Sequence, residues 1–366
     1  MNKKQRVEAI IKGEVPDYMP VFAYIWTHGV FSSGNNLPDI TGQDFVDSEK
    51  SAKAAFDLLQ RYDLDIVYGS YCDMYLGLTS LGGVIKIPDG YGATVVPEKF
   101  PVEDPLDWPQ VKKKLTSIFE KNNRLTGVLE SYRIVAKEVG DQIPIAVTCN
   151  PGPTSAVGLL RDIESLCLDM SENADFAYEI CDYANKYTIE FIRRQYDAGA
   201  NSVTLLGDVF GTQLISPDMF KQFVLPFIAE IVDVVKKEFN QKVFVHLHGD
   251  FKPPKANALL DILVNEIGVG ALHLDESHDS SWVKENICDK YKIPGAITYH
   301  APELIFDSIE KIDRKTKELV IGCNQNYSFM APSCEAPPNI QEDHLKSWVQ
   351  KTHEYSAEYY WGKRDV

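Results

Sequence analysis

The sequence predicts a single (β/α)8 TIM barrel, an α/β fold with an N-terminal extension, and three observations point to it. Eight short apolar runs recur along the 366 residues, mostly separated by stretches with helical periodicity. Each run is apolar throughout, as expected of strands covered on both faces. Residues able to do chemistry gather just after these runs, on the side where barrel active sites lie. A doubly wound open sheet shares the alternation, but no G-x-G-x-x-G opens any of the helices. The barrel is read as one domain over 1–366, with 1–18 as its helical extension.

In order, residues 3–12 read as an amphipathic helix closed by Gly13 and Pro16. Met19-Pro-Val-Phe-Ala-Tyr24 is the first strand, and 29–42, rich in Gly, Asn and Ser, is a loop. A helix over 44–61 carries Phe45, Ala52, Ala55, Phe56 and Leu59 before the second strand, Asp65-Ile-Val-Tyr68. Gly and Pro punctuate 82–105, an irregular excursion with room for a hairpin. Helices at 108–121 and 123–139 lead to the strand Ile143–Thr148, and helices at 155–169 and 172–198 lead to Ser202–Leu206. Ser216 caps a helix that Pro217 opens and that runs to Phe239. The strand 243–246, a helix at 254–265, the strand Ala271–Leu274 and a helix at 280–290 follow. Ile293–Ile297 is the seventh strand, a helix starts at Pro302, and Leu319-Val-Ile-Gly322 is the last strand, covered by a helix at 341–360.

Composition excludes several classes. Lys and Arg total 37 against 53 Asp and Glu, a net charge of −16 without a basic stripe, so nucleic acid is not an expected partner. No apolar run approaches the roughly 18–20 residues of a membrane span. The basic start, Met1-Asn-Lys-Lys-Gln-Arg6, is not followed by the apolar core of a signal peptide. Seven scattered cysteines point to a reducing cytoplasm rather than a disulfide framework.

Val243-Phe-Val-His246-Leu-His248-Gly249 carries the most specific local signal. Alternate residues of a strand point the same way, so His246 and His248 project together from its C-terminal tip. Two converging imidazoles suit zinc. The same residues also read as one loop cap and one satisfied core histidine, and the motif alone leaves both readings open. Asp208, His273, Asp275 and Cys334 fall on the same barrel face, which favours the metal.

Longer blocks carry a resemblance. They are Arg6-Val-Glu-Ala-Ile-Ile-Lys-Gly-Glu-Val-Pro16-Asp17 with Met19-Pro20-Val21, Asp73 with Leu81-Gly82-Gly83, and Gly152-Pro-Thr154. Asp197-Ala-Gly-Ala200, Ser216-Pro217 with Phe223 and Pro226, and Cys334-Glu335-Ala-Pro337-Pro338 complete them. With these the chain resembles the uroporphyrinogen decarboxylase superfamily over nearly its whole length. Within it, the chain is most similar to the zinc-dependent corrinoid methyltransferase branch, which includes methylcobamide:coenzyme M and O-demethylase methyltransferases. Decarboxylases hold their polycarboxylate substrate with an arginine-rich stretch after the first strand. Here Phe22-Ala-Tyr-Ile-Trp-Thr-His-Gly-Val30 contains no arginine.

The branch binds zinc through His-x-Cys and a distant Cys, and the resemblance places the metal on His246 and Cys334, with His248 where the nearer cysteine would stand. Two imidazoles and one thiolate leave the zinc unit at +1 and more acidic toward oxygen than a two-thiolate site. The resemblance thus implies methyl transfer from a small molecule, favoured as an O-methylated donor with aromatic ones in view, to the cobalt of a corrinoid (cobalamin) on a partner protein. Transfer from a methylcorrinoid to a thiol is the alternative, and a non-catalytic zinc- or corrinoid-binding barrel is the non-enzyme one. Whether the barrel forms a homodimer is left open.

Asp208 and Glu335 are the candidate acidic helpers, each also readable as an ordinary loop carboxylate. Tyr24, Trp26, Tyr71, Phe210 and Tyr327 are the favoured substrate-wall candidates among the aromatic residues near strand ends, although such rings more often fill core. Cys323 is the rival of Cys334, and His273 reads as a buried, hydrogen-bonded histidine.

Overall fold

A computed structural model describes residues 1–361. Its strands are β1 (Val67–Tyr68), β2 (Val84–Lys86), β3 (Val96–Lys99), β4 (Ile145–Cys149) and β5 (Thr204–Asp208). They continue with β6 (Val243–Leu247), β7 (Ala271–Leu274), β8 (Gly295–Tyr299) and β9 (Ser328–Pro332). Seven of them form a parallel sheet in the order β1-β4-β5-β6-β7-β8-β9, while β2 and β3 pair as an antiparallel hairpin inside the 82–105 excursion.

The segment at 19–24 bridges the two edges of this sheet. Met330 N–H donates to Pro20 O at 2.9 Å and Phe22 N–H to Met330 O at 2.8 Å, while Asp65 N–H reaches Val21 O at 3.3 Å. This segment therefore occupies the eighth staves' position expected of Met19–Tyr24. Pro20 lacks an N–H, and the pairing reduces to the single bridge Val21 to Met330.

Three expectations are corrected. Leu319-Val-Ile-Gly322 is not a strand but the end of the helix Ile309–Ile321, and the last strand is β9. Ile312, Thr316 and Val320 recur four apart and are buried, while Ile321 is half exposed, so the period is helical. The stretch 29–42 is not a plain loop, because Trp26–Ser32 and Leu37–Ile40 are helices burying Val30, Phe31, Leu37 and Ile40. The helix at 216–239 divides into Pro217–Phe223 and Leu225–Phe239, because Pro226 has no N–H to continue the ladder.

Phe22, Phe244 and Phe329 fill the barrel axis, with ring centroids 4.8–6.0 Å apart. Burying each ring contributes about 2–3 kcal/mol. The helix Lys3–Lys12, started by an Asn2–Gln5 capping box, closes the N-terminal end by adding Val7 and Ile10 to this cluster. Arg6 on the same helix reaches Asp65 Oδ1 at 2.5 Å and Asp17 at 2.7 and 3.0 Å. The second Asp65 oxygen accepts from Val21 N–H at 2.8 Å and lies 3.1 Å from His353 Nε2. The plugged lower end leaves the C-terminal mouth for the site.

Candidate metal centre

On β6, Phe244 faces the barrel axis, and the pleat places His246 and His248 on the same side. His246 Nδ1 donates to the His273 backbone carbonyl at 3.1 Å, which leaves Nε2 as a free lone pair. That Nε2 lies 3.0 Å from His248 Nε2, and Cys334 Sγ lies 3.6 Å from the same His248 atom. The three ligand atoms all lie within 4.8 Å of one another. A tetrahedral zinc ion would separate two such nitrogens by about 3.3 Å and a nitrogen and sulfur by about 3.6 Å. The donor set therefore fits zinc.

The backbone around His248 is closely fitted. Gly249 sits at φ +109°, and a Cβ there would approach Thr212 Oγ1 to 2.4 Å. A Cβ on Gly211 would come within 1.6 Å of the His248 carbonyl oxygen. Asp275, just past β7, accepts from Gly249 N–H at 2.6 Å and from Ser277 N–H at 3.0 Å. Its Oδ2 lies 3.8 Å from His248 Nδ1, beyond hydrogen-bond range.

Cys334 follows β9 on a loop tied to the chain's first segment. Ala336 N–H donates to Tyr24 O at 2.7 Å, and Thr27 Oγ1 donates to Glu335 Oε1 at 2.9 Å. His28 Nδ1 lies 3.0 Å from Pro338 O. These ties give the Cys-Glu-Ala-Pro-Pro run a positional reason.

Burial first, and then the neighbouring His248, push His246 down to about 3, so its imidazole is neutral and ready to ligate. Burial lifts the Cys334 thiol to about 11, which a bound cation would reverse. Asp208 ends β5 with Oδ1 accepting from Thr154 Oγ1 at 2.6 Å and Phe210 N–H at 2.9 Å, while Oδ2 has no partner. Burial outweighs both hydrogen bonds and lifts this carboxyl to about 6. Glu335 is an exposed side chain on the cavity wall whose carboxyl nevertheless has protein packed around it. That enclosure, against the Thr27 bonds and with Asp73 adding to it, raises its carboxyl to about 7.

Tyr24, Trp26, Asp208, His246, His248, Cys334 and Glu335 all line one cavity of about 260 Å3. Three other wall candidates do not join them. Tyr71 lines a separate small space beside Leu58 and Tyr68. Phe210 is buried in the core and contributes its backbone N–H to Asp208. Tyr327 precedes β9 and packs at the barrel's N-terminal end against Gly13, because the last strand begins later than expected. Cys323 is buried with its thiol 3.8 Å from Tyr360 Oη, away from the cluster. His273 is buried with Nε2 2.9 Å from Pro332 O, as a core histidine.

Sequence reasoning missed Cys72, Thr148 and Thr154 as cavity walls and gave Asp73 no role. Asp73 follows β1 as Asp208 ends β5, so the strand-end rule that found Asp208 reaches it too.

The uroporphyrinogen decarboxylase (URO-D) family model matches residues 2–355. Methylcobamide:CoM methyltransferase MtaA of Methanosarcina barkeri is 25% identical over 361 residues, covering 97% of this chain and 98% of its own. A uroporphyrinogen decarboxylase of Salinibacter ruber is 20% identical, covering 84% and 83% respectively. The solved structure of a methyltransferase from Methanosarcina mazei aligns with a TM-score of 0.79 at 21% identity, over 97% of this chain and 99% of that one. The likeness in fold and the family match agree along almost the full length, and the chain belongs to the uroporphyrinogen decarboxylase (URO-D) family.

Proposed function

We propose that this protein is a zinc-dependent methyltransferase that moves a methyl group between a small molecule in the mouth cavity and the cobalt of a corrinoid carried by another protein. The observation that carries this reading is the His246, His248 and Cys334 donor set at the cavity wall. The MtaA relative, whose name states methyl transfer from a methylcobamide, supports it. A zinc ion held there supplies Lewis acidity toward a heteroatom of the small molecule.

The favoured substrate is an O-methylated donor. Transfer to cobalt(I) breaks the O–CH3 bond, and the cobalt electron pair forms the new Co–CH3 bond. The departing oxygen then takes a proton. Asp208, raised to about 6, and Glu335, raised to about 7, both line the cavity, and of the two Glu335 keeps the larger share of its proton near neutrality. Tyr24 and Trp26, whose rings meet edge-on at 5.6 Å, offer an apolar wall for the donor's body. The +1 charge of a two-imidazole, one-thiolate site favours oxygen over a substrate thiolate.

A second reading, transfer from a methylcorrinoid to a thiol, is supported by the relatives' stated reaction. Uroporphyrinogen decarboxylation is disfavoured, because among the described residues the cavity walls include Asp73, Asp208 and Glu335 but no Lys or Arg to receive a polycarboxylate. All seven cysteines are free thiols, in keeping with a reducing cytoplasm. Zinc-loaded protein, cob(I)alamin and methoxylated aromatics are expected to give the methylcobalamin spectrum. Thiol methylation from methylcobalamin without any ether cleavage would overturn the favoured direction.

A further inference from the structure

We infer that Asp275 and His278, on the turn after β7, are positioning residues for the metal site: together they hold the backbone that follows His248 and thereby aim its imidazole at His246 and Cys334. The inference rests on the zinc reading of that site and concerns how this chain keeps a histidine as its third donor.

The two histidines are aimed in different ways. His246 lies within β6, where the ladder pairs it with His273, and its ring Nδ1 bonds the His273 carbonyl at 3.1 Å. His248 lies beyond Leu247, where the pairings of β6 with β5 and β7 both end. Among the described residues, the hydrogen-bond-range contacts of its ring are the other two donors, both met through Nε2. Neither a strand ladder nor a ring hydrogen bond to the scaffold therefore fixes His248. Its Nε2 also stands four bonds from Cα, twice as far along the side chain as a cysteine sulfur. A given rotation of the backbone moves it further, so a histidine at this position needs a firmer backbone than a cysteine would.

The turn after β7 supplies that firmness. Gly249 N–H donates to Asp275 Oδ2 at 2.6 Å, and Phe251 N–H donates to His278 Nε2 at 3.1 Å. Ser277 N–H donates to the other Asp275 oxygen at 3.0 Å, which ties the carboxylate to its own turn. Asp275, His278 and Phe251 are all buried, so water does not compete for these bonds. Thr212 Oγ1 donates to Asp250 O at 3.1 Å and holds the same loop from the β5 side. Two side-chain acceptors thus take the amides one and three residues past His248.

Zinc affinity of the whole protein, read by competition with a chromophoric chelator, tests the clamp. Asp275→Ala is expected to weaken zinc binding by about 10–100-fold, and His278→Phe by about tenfold. Asp275→Asn keeps a carbonyl oxygen for Gly249 N–H and is expected to bind zinc within about threefold of wild type. A merely structural role would lower the urea midpoint and leave the affinity of the folded protein unchanged. Unchanged affinity in Asp275→Ala and His278→Phe therefore overturns the inference. An asparagine variant as weak as the alanine one overturns it too, because the effect would then belong to the charge. Wild-type protein that takes up no zinc contradicts the zinc reading instead, and crystal structures of the metal-free proteins then decide the clamp alone. His248 Nε2 within hydrogen-bond distance of His246 Nε2 in wild type but turned away in Asp275→Ala supports it. An imidazole that stays in place in the variant overturns it.

Discussion

The two ends of the barrel each bury a carboxylate, and they treat it in opposite ways. Asp65 at the N-terminal end is 0% exposed and Asp208 at the mouth is 1% exposed. Burial pushes both upward. At Asp65, His353, Arg6 and Lys3 together outweigh it and leave the carboxyl below its ordinary value. At Asp208 only neutral donors answer, one oxygen stays unpartnered, and the carboxyl rises to about 6. The mouth repeats the pattern elsewhere, with Trp26 Nε1 and Tyr68 Oη also buried and unpartnered. The two carboxylates differ in that both Asp65 oxygens are partnered while one Asp208 oxygen is not.

Breaking the mouth is expected to have the largest effect. Cys334→Ala or His246→Ala should reduce bound zinc well below one per chain and cut methyl transfer by roughly a thousandfold or more. Stability of the metal-free protein should change far less, which urea unfolding beside metal analysis would test. The reverse result is expected at the other end. Arg6→Ala removes the guanidinium bound to Asp65 and should cost about 3–5 kcal/mol in urea unfolding, with zinc content of the folded protein unchanged. Because the Asp65 value is lowered, its stabilisation is present above the unfolded value and is lost as pH falls through the folded one.

Asp208→Asn sharpens the comparison. The native value is raised from 3.8 to about 6, so the folded protein holds that proton more tightly than the unfolded chain. Its contribution to stability is therefore fully present below about 4 and is lost as pH rises through about 6. The metal-free variant should be about 2 kcal/mol more stable than wild type at pH 8 and lose that advantage in acid. Methyl transfer should fall by about a hundredfold in the same variant. Equal stability at pH 8 and pH 4 would remove the contrast between the two carboxylates. The smallest effect is expected at Tyr327→Phe, within about twofold in methyl transfer, because a group at the plugged end is remote from the reacting atoms.

Much of this contrast was legible in the chain itself. β6 was readable because Val243-Phe-Val leads into two histidines with a strand's period, and β7 matched its expected bounds at Ala271–Leu274. Leu319-Val-Ile misled because a short apolar run is the same whether it ends a helix or forms a strand. That error carried Tyr327 to the wrong end of the barrel. Cys334 is far from the histidines in sequence; the strand-end rule put it on their face of the barrel, and the Cys-Glu-Ala-Pro-Pro resemblance ranked it above Cys323. The unpartnered Asp208 oxygen and the Arg124–Asp73 pair depend on contacts between distant elements, which no local pattern encodes.

Zinc K-edge X-ray absorption of the purified protein tests the central claim most directly. The account predicts one sulfur at about 2.3 Å and two imidazole nitrogens at about 2.0 Å, with the sulfur lost in Cys334→Ala. Two sulfurs, a sulfur that persists in the variant, or a protein that binds no zinc would contradict it.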